Sequence, residues 1–146
     1  MRGDELPDDS HVVRYTKPTL VREDESVGGE TFQLRSGEES LSVNWLECFP
    51  GISKAQQVDE VRRRSRLQLR PNGCLAELHA GRTKRHVHAE LANLRFVHDP
   101  LPAEGEFEPD PSHSEIAGLP AADSPEAELV GDMIAECVTA VHPSVG

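Results

Sequence analysis

Leu41-Ser42-Val43-Asn44-Trp45 alternates apolar and polar side chains with a period of two. Successive side chains of a β-strand point to opposite faces, so the stretch predicts a half-buried strand with Leu41, Val43 and Trp45 inward and Ser42 and Asn44 outward. Upstream, His11-Val-Val-Arg-Tyr15 is a short β-rich run that stops at Lys17-Pro18, and Phe32-Gln-Leu-Arg35 repeats the alternation. Downstream, Arg66-Leu-Gln-Leu-Arg70, Pro71-Asn72-Gly73 and Cys74-Leu-Ala-Glu-Leu-His79 predict a hairpin, because Asn-Gly readily takes the positive φ angles of a tight turn. The run from His86 to Val97 fits either a strand or a short helix followed by one.

Two helices flank these strands. Ser53 and Gln56 have capping-box spacing, and Ala55, Val58 and Val61 follow as one thin apolar stripe on a charged helix ending in Arg62, Arg63 and Arg64. Such a helix is expected to cover an edge. Asp123 and Glu126 repeat the capping spacing, Pro125 suits a first turn, and Leu129, Val130, Met133, Ile134, Cys137, Val138 and Val141 make a continuous face. At about 1.5 kcal/mol per buried side chain this face predicts a core helix over 123–142. The fold expected is a single α+β domain over 1–146: a mostly antiparallel sheet of about five strands with the C-terminal amphipathic helix packed on one face. Residues 1–10 are expected to be a loose lead-in, and 98–122, with its five prolines, a long surface connection.

Charge is segregated along the chain. Residues 1–50 carry five Lys/Arg against eleven Asp/Glu, residues 51–100 ten against five, and residues 101–146 none against ten. Net charges of −6, +5 and −10 follow, so the acidic last third has a basic partner within its own molecule. Arg62, Arg63, Arg64, Arg82, Lys84 and Arg85 form the basic set. Phosphate binding is one reading of it, but the remaining acids oppose nucleic acid and only Phe96 is interleaved as a stacking aromatic. Satisfaction by the chain's own carboxylates, or by an acidic protein partner, is the favoured reading.

No secretory signal pattern opens the chain and its most apolar stretch is too short to cross a membrane, so a cytoplasmic protein without membrane contact is expected. Cys48, Cys74 and Cys137 are odd in number, widely spaced and beside apolar residues, as expected of buried small hydrophobes. His86-Val-His88 would put two imidazoles on one face of a strand, with His79, His98 and Asp99 as further zinc ligands. Arg82, Lys84 and Arg85 disfavour a divalent cation there, so exposed histidines on a basic strand are expected, with no metal and no cofactor.

A third set joins distant segments: His11, Arg14 and Tyr15 on the first strand, Ser42 and Asn44 on the polar face of another, and His113 in the loop Asp110-Pro-Ser-His113. His-Val-Val-Arg-Tyr15, Leu-Ser-Val-Asn-Trp-Leu-Glu47, His98-Asp-Pro-Leu-Pro102 and Asp-Pro-Ser-His-Ser-Glu-Ile-Ala-Gly-Leu-Pro120 occur in that order. In this the chain resembles a family of small bacterial proteins with no established activity, whose corresponding loop is of Asn-Pro-Ala-His type; Asp110 and Ser112 depart from it. The resemblance implies a shared fold and a bacterial source but no mechanism.

Two functions fit these residues. The favoured one is a non-enzymatic binding or accessory protein of a bacterial operon that meets a protein partner through its charged surfaces, Tyr15, Asn44 and the basic set included. The alternative is a small enzyme of ADP-ribosyl-transferase or hydrolase type with His11, Arg14, Ser42 and His113 as catalytic groups, and Glu47 or Glu115 as the acid of the transferase version. An enzyme must gather these side chains around one concave pocket, whereas an accessory protein is free to leave them dispersed.

Overall fold

A computed structural model of the chain describes residues 2–87 and 91–145. Six strands, β1 His11–Thr16, β2 Leu41–Trp45, β3 Cys74–His79, β4 Arg95–His98, β5 His113–Ala117 and β6 Val138–Pro143, form one open antiparallel sheet. Their order is β4-β5-β2-β1-β3-β6. Three helices complete the α+β fold: α1 Lys54–Arg64, α2 Ala80–His86 and α3 Glu126–Ala135. Among the described residues no helix is long and apolar enough to cross a membrane.

The alternation read in Leu41–Trp45 divides the sheet into two faces. Val12, Val43, Ala76, Leu78, Phe96 and Ile116 join Val130, Ile134 and Cys137 in the larger core. Val13 and Leu75 point the other way and meet Leu46, Val58 and Val61 in a smaller one. Helix α1 thus lies over the second face instead of guarding an edge, because Val58 and Val61 are one turn apart and both are buried. Its capping box forms as expected: Ser53 Oγ accepts from the Gln56 amide at 3.2 Å, and Gln56 Oε1 accepts from the Ser53 amide at 2.9 Å.

Several expectations are corrected. Phe32 and Leu34 are buried as the alternation requires, but Phe32 ends a short 3-10 turn, Gly29–Phe32, and no strand forms. Residues 66–70 do not pair with β3, and the place beside β3 is taken by β6. Gly73 accordingly lacks the positive φ of a tight hairpin turn; it is needed because a Cβ there would press on the Thr16 carbonyl and the Tyr15 ring. The C-terminal helix expected over 123–142 is only ten residues long, starts after Pro125 without a side-chain cap, and gives way to β6. Met133 and Val138 are therefore only partly buried, and Leu129 and Val141 are exposed.

The presumed surface connection over 98–122 contains an interior strand, β5, paired with β2 and β4. Nor is the lead-in loose. The Gly3 and Leu6 amides donate to the His98 and Phe96 carbonyls, each at 2.8 Å, and Leu6 is buried against the core. At the far end of β5, Gly118 has φ +87, and an added Cβ would collide with the Asn93 carbonyl. Gly118→Ala is expected to cost about 1–3 kcal/mol through this left-handed backbone and the collision. A thermal melt indistinguishable from wild type would refute that assignment.

Candidate functional site

Strands β1 and β2 pair only at Val12↔Trp45 and Val13↔Asn44, and beyond that point they part. The Arg14 side chain bridges the opening, donating from Nε to the Thr31 carbonyl at 2.6 Å and from a terminal nitrogen to the Ser42 carbonyl at 2.8 Å. Both acceptors are neutral. Burial pulls the guanidinium down to about 10, with Glu38 opposing and Arg35 reinforcing the shift, so it remains a cation at neutral pH.

On the α1 side of this opening lies a cavity of about 390 Å³. Its polar lining includes Arg14, Tyr15, Ser42, Asn44, Asp110 and His113 together with the charged Lys17, Glu30, Arg35, Glu38 and Arg66, and its apolar lining includes Leu20, Val61, Leu69, Leu75 and Leu101. Three of the four residues expected to be catalytic, Arg14, Ser42 and His113, are thereby brought together with Tyr15 and Asn44. His11 is not among them. Its Nδ1 pairs with Glu47 at 2.7 Å, its ring packs edge-on to His79, and it lines a separate pocket with Glu77 and Lys54. His11 and Glu47 thus occupy each other away from Arg14 and Ser42, which dismantles the combined His11, Ser42 and Glu47 arrangement. Glu115 remains opposite Ser42 in the β2–β5 register.

The loop before β5 is held by polar contacts. Asp110 Oδ1 accepts from the Ser112 amide at 3.1 Å and from its hydroxyl at 2.7 Å, closing an Asx turn around Pro111. Asn44 Nδ2 donates to the other Asp110 oxygen at 3.0 Å and to Ser112 Oγ at 2.9 Å. With Asp110 and Ser112 both buried, these bonds fix the loop on β2 and seat His113 directly opposite Asn44. The His113 ring then reaches diagonally across the ladder, with Nε2 3.2 Å from Ser42 Oγ. Its Nδ1 lies 2.8 Å from the Asp99 carbonyl and 3.4 Å from the Asp99 carboxylate. Neither Asp110 nor Asp99 was assigned a role at this site from the sequence; the Asp-x-Ser spacing is the signal that marks Asp110 as a turn former, whereas nothing local marks Asp99, 14 residues from His113 in the chain.

The basic set divides in two. Arg63 pairs with Glu108 at 2.5 Å and with Glu60 at 2.8 Å, while Arg64 donates to the Pro109 carbonyl and stacks over Phe49. Arg62 pairs with Asp59 and donates to the Pro143 carbonyl. The acidic stretch 104–110 therefore lies against the arginines of α1, with Arg66 bound to the Pro102 and Glu108 carbonyls and to Glu104. Arg82, Lys84 and Arg85 lie on helix α2, not on a strand. Lys84 pairs with Asp8 at 2.5 Å.

The zinc reading loses its strand geometry with the same change. His86 ends α2 and pairs with Glu136 at 3.0 Å, and His88 lies outside the described residues. Among the described residues no three His, Cys, Asp or Glu side chains are grouped to hold a metal. Cys74 and Cys137 are buried and Cys48 half-buried, and burial pushes all three thiols up.

The chain matches no protein-family model, no curated protein and no solved structure.

Proposed function

We propose that this protein binds a small amphipathic carboxylate in the cavity between β1, β2 and α1. The observation that carries the reading is the charge of Arg14. Its guanidinium sits at the cavity wall, is drawn down by burial, and hydrogen-bonds only to the neutral carbonyls of Thr31 and Ser42 among the described residues. A half-buried cation with only Glu38 acting on it from beyond hydrogen-bond range is incompletely compensated, and an entering carboxylate would complete that compensation. The leucines that line the same cavity offer apolar surface for a short hydrocarbon chain.

Hexanoate is expected to raise the melting temperature in a concentration-dependent way, by about 2.7 kcal/mol of stabilisation when its concentration is 100 times Kd. Hexanol, with the same chain and no charge, is expected to do much less, and Arg14→Met to abolish the difference. Equal stabilisation by both ligands, or by neither, would refute the reading.

A second reading, an accessory protein of a bacterial operon docking an acidic protein partner, is favoured by one surface. Arg82 and Arg85, whose own side chains have no hydrogen-bond or ion-pair partner among the described residues, line a pocket with Lys54, Glu77, His11 and His79. Such docking is expected to weaken steeply as salt rises. Nucleic acid is disfavoured because the α1 arginines are already engaged by carboxylates and carbonyls of the same chain. Titration with single-stranded RNA and duplex DNA is expected to give no binding at physiological ionic strength; micromolar affinity there would overturn this ordering.

A further inference from the structure

We infer that Ser42 and His113 form a nucleophile–base pair that cleaves small carboxylic esters in the same cavity, an inference that rests on the carboxylate-binding reading and names its chemistry. Proton positions follow from the partners. A backbone carbonyl only accepts, so the 2.8 Å contact between His113 Nδ1 and the Asp99 oxygen requires the proton on Nδ1. The neutral ring then presents a bare lone pair at Nε2, 3.2 Å from Ser42 Oγ, and the serine hydroxyl donates into it. This is the tautomer a general base needs, and a carbonyl on the opposite side of the ring enforces it.

Rigidity supports the assignment. Ser42 and His113 are carried by adjacent paired strands, so the ladder sets their separation. Asp99 is tied to His113 twice, since its amide donates to the His113 carbonyl at 3.0 Å while its own carbonyl receives the ring proton. The Asp99 carboxylate, 3.4 Å from Nδ1, faces the ring where positive charge develops on proton uptake, and makes Asp99 a positioning residue. Arg14, bonded to the Ser42 carbonyl, brings a fixed positive charge within one residue of the nucleophile, where it stabilises an oxyanion.

The steps balance without a further reagent. Ser42 Oγ attacks the ester carbonyl carbon as His113 Nε2 takes the hydroxyl proton; the C–O bond to the alcohol breaks and the departing alkoxide receives that proton. Water then attacks the acyl-serine, His113 takes its proton, and the acyl–Oγ bond breaks with return of the proton to Ser42. The products are an alcohol and a small carboxylic acid, the class of ligand that Arg14 is proposed to hold.

The test uses the full chain with p-nitrophenyl butyrate and a fluorophosphonate probe. Wild type is expected to hydrolyse the ester and to be labelled at Ser42, as located by peptide mass spectrometry. Ser42→Ala should abolish both, and His113→Gln, which keeps a donor toward the Asp99 carbonyl, should slow both by at least about 100-fold. Asp99→Asn preserves the backbone acceptor and should lower kcat with KM little changed. Labelling at another residue, or labelling of Ser42 unaffected by His113→Gln, would overturn the inference. Folded wild type that binds hexanoate but neither labels nor turns over also overturns it and leaves the binding reading intact. Labelled Ser42 without hexanoate binding rejects the binding reading alone.

Discussion

Lys54→Met is expected to destabilise the protein by about 3 kcal/mol, although the lysine is itself half exposed, because it uncovers a charge on its partner. Glu77 stands in the middle of β3, opposite Val13 of β1 and Ala140 of β6, and its side chain is 2% exposed. The carboxylate accepts from Lys54 Nζ at 2.7 Å and from His142 Nε2 at 2.8 Å. Burial pushes its pKa up, but the hydrogen bonds and charges of Lys54 and His142 outweigh burial and leave it below the usual carboxylate range. Removing Lys54 leaves a buried anion with one donor, and breaking such a pair costs about 3–5 kcal/mol; the surviving His142 contact argues for the lower end.

The pH dependence fixes the sign. A carboxylate whose folded pKa is depressed contributes stability above its unfolded pKa of about 4.3, and that contribution is lost as pH falls through the lower folded value. The difference between wild type and Lys54→Met should therefore be largest at pH 7 and smaller at pH 3, because Glu77 takes up its proton first in the variant and only at its depressed value in wild type. Glu77→Gln, which removes the charge and keeps the shape, should cost less at pH 7 than Lys54→Met does. Urea unfolding at the two pH values measures both differences. A cost for Lys54→Met that does not change with pH would show that packing of the lysine stem, not the carboxylate, sets it.

What was legible in the sequence is the set of elements whose local pattern and tertiary role agree. Leu41–Trp45 pairs its alternation with matching burial at Leu41, Ser42 and Val43, the β-rich runs His11–Tyr15 and Cys74–His79 become largely buried interior strands, and the α1 capping box forms as spaced. Strand β5 was hidden because one of its inward positions is Ser114, wholly buried, so its alternation lacks the apolar beat that marks a strand. Strand β6 was hidden by the opposite accident: Cys137, Val138 and Val141 continue the helical spacing of α3, while the β-branched run Val138, Thr139 and Val141 favours a strand. At the site, Arg14, Ser42, Asn44 and His113 were recognisable as residue types, but their meeting depends on β5 lying beside β2. His11 was misassigned for the same reason. His11 faces His79 across the β1–β3 ladder and is held by Glu47 from the turn after β2, so it stands apart from that group.

The shortened α3 makes a sharp comparison within one helix. Ile134→Ala is expected to cost about 2–5 kcal/mol, through lost transfer energy and the cavity left in the larger core, since Ile134 is fully buried among residues of both sheet and helix. Leu129→Ala, five residues earlier and 50% exposed, is expected to stay within about 0.5 kcal/mol of wild type. On the uninterrupted helix over 123–142 both would face the core and both would be costly. The two outcomes separate because α3 turns Ile134 into the larger core and Leu129 to solvent, and the chain then turns at Glu136–Cys137 to lay β6 on β3. Chemical denaturation of the two variants decides it: a Leu129→Ala loss comparable to that of Ile134→Ala would show Leu129 buried and overturn the face that α3 presents to the core.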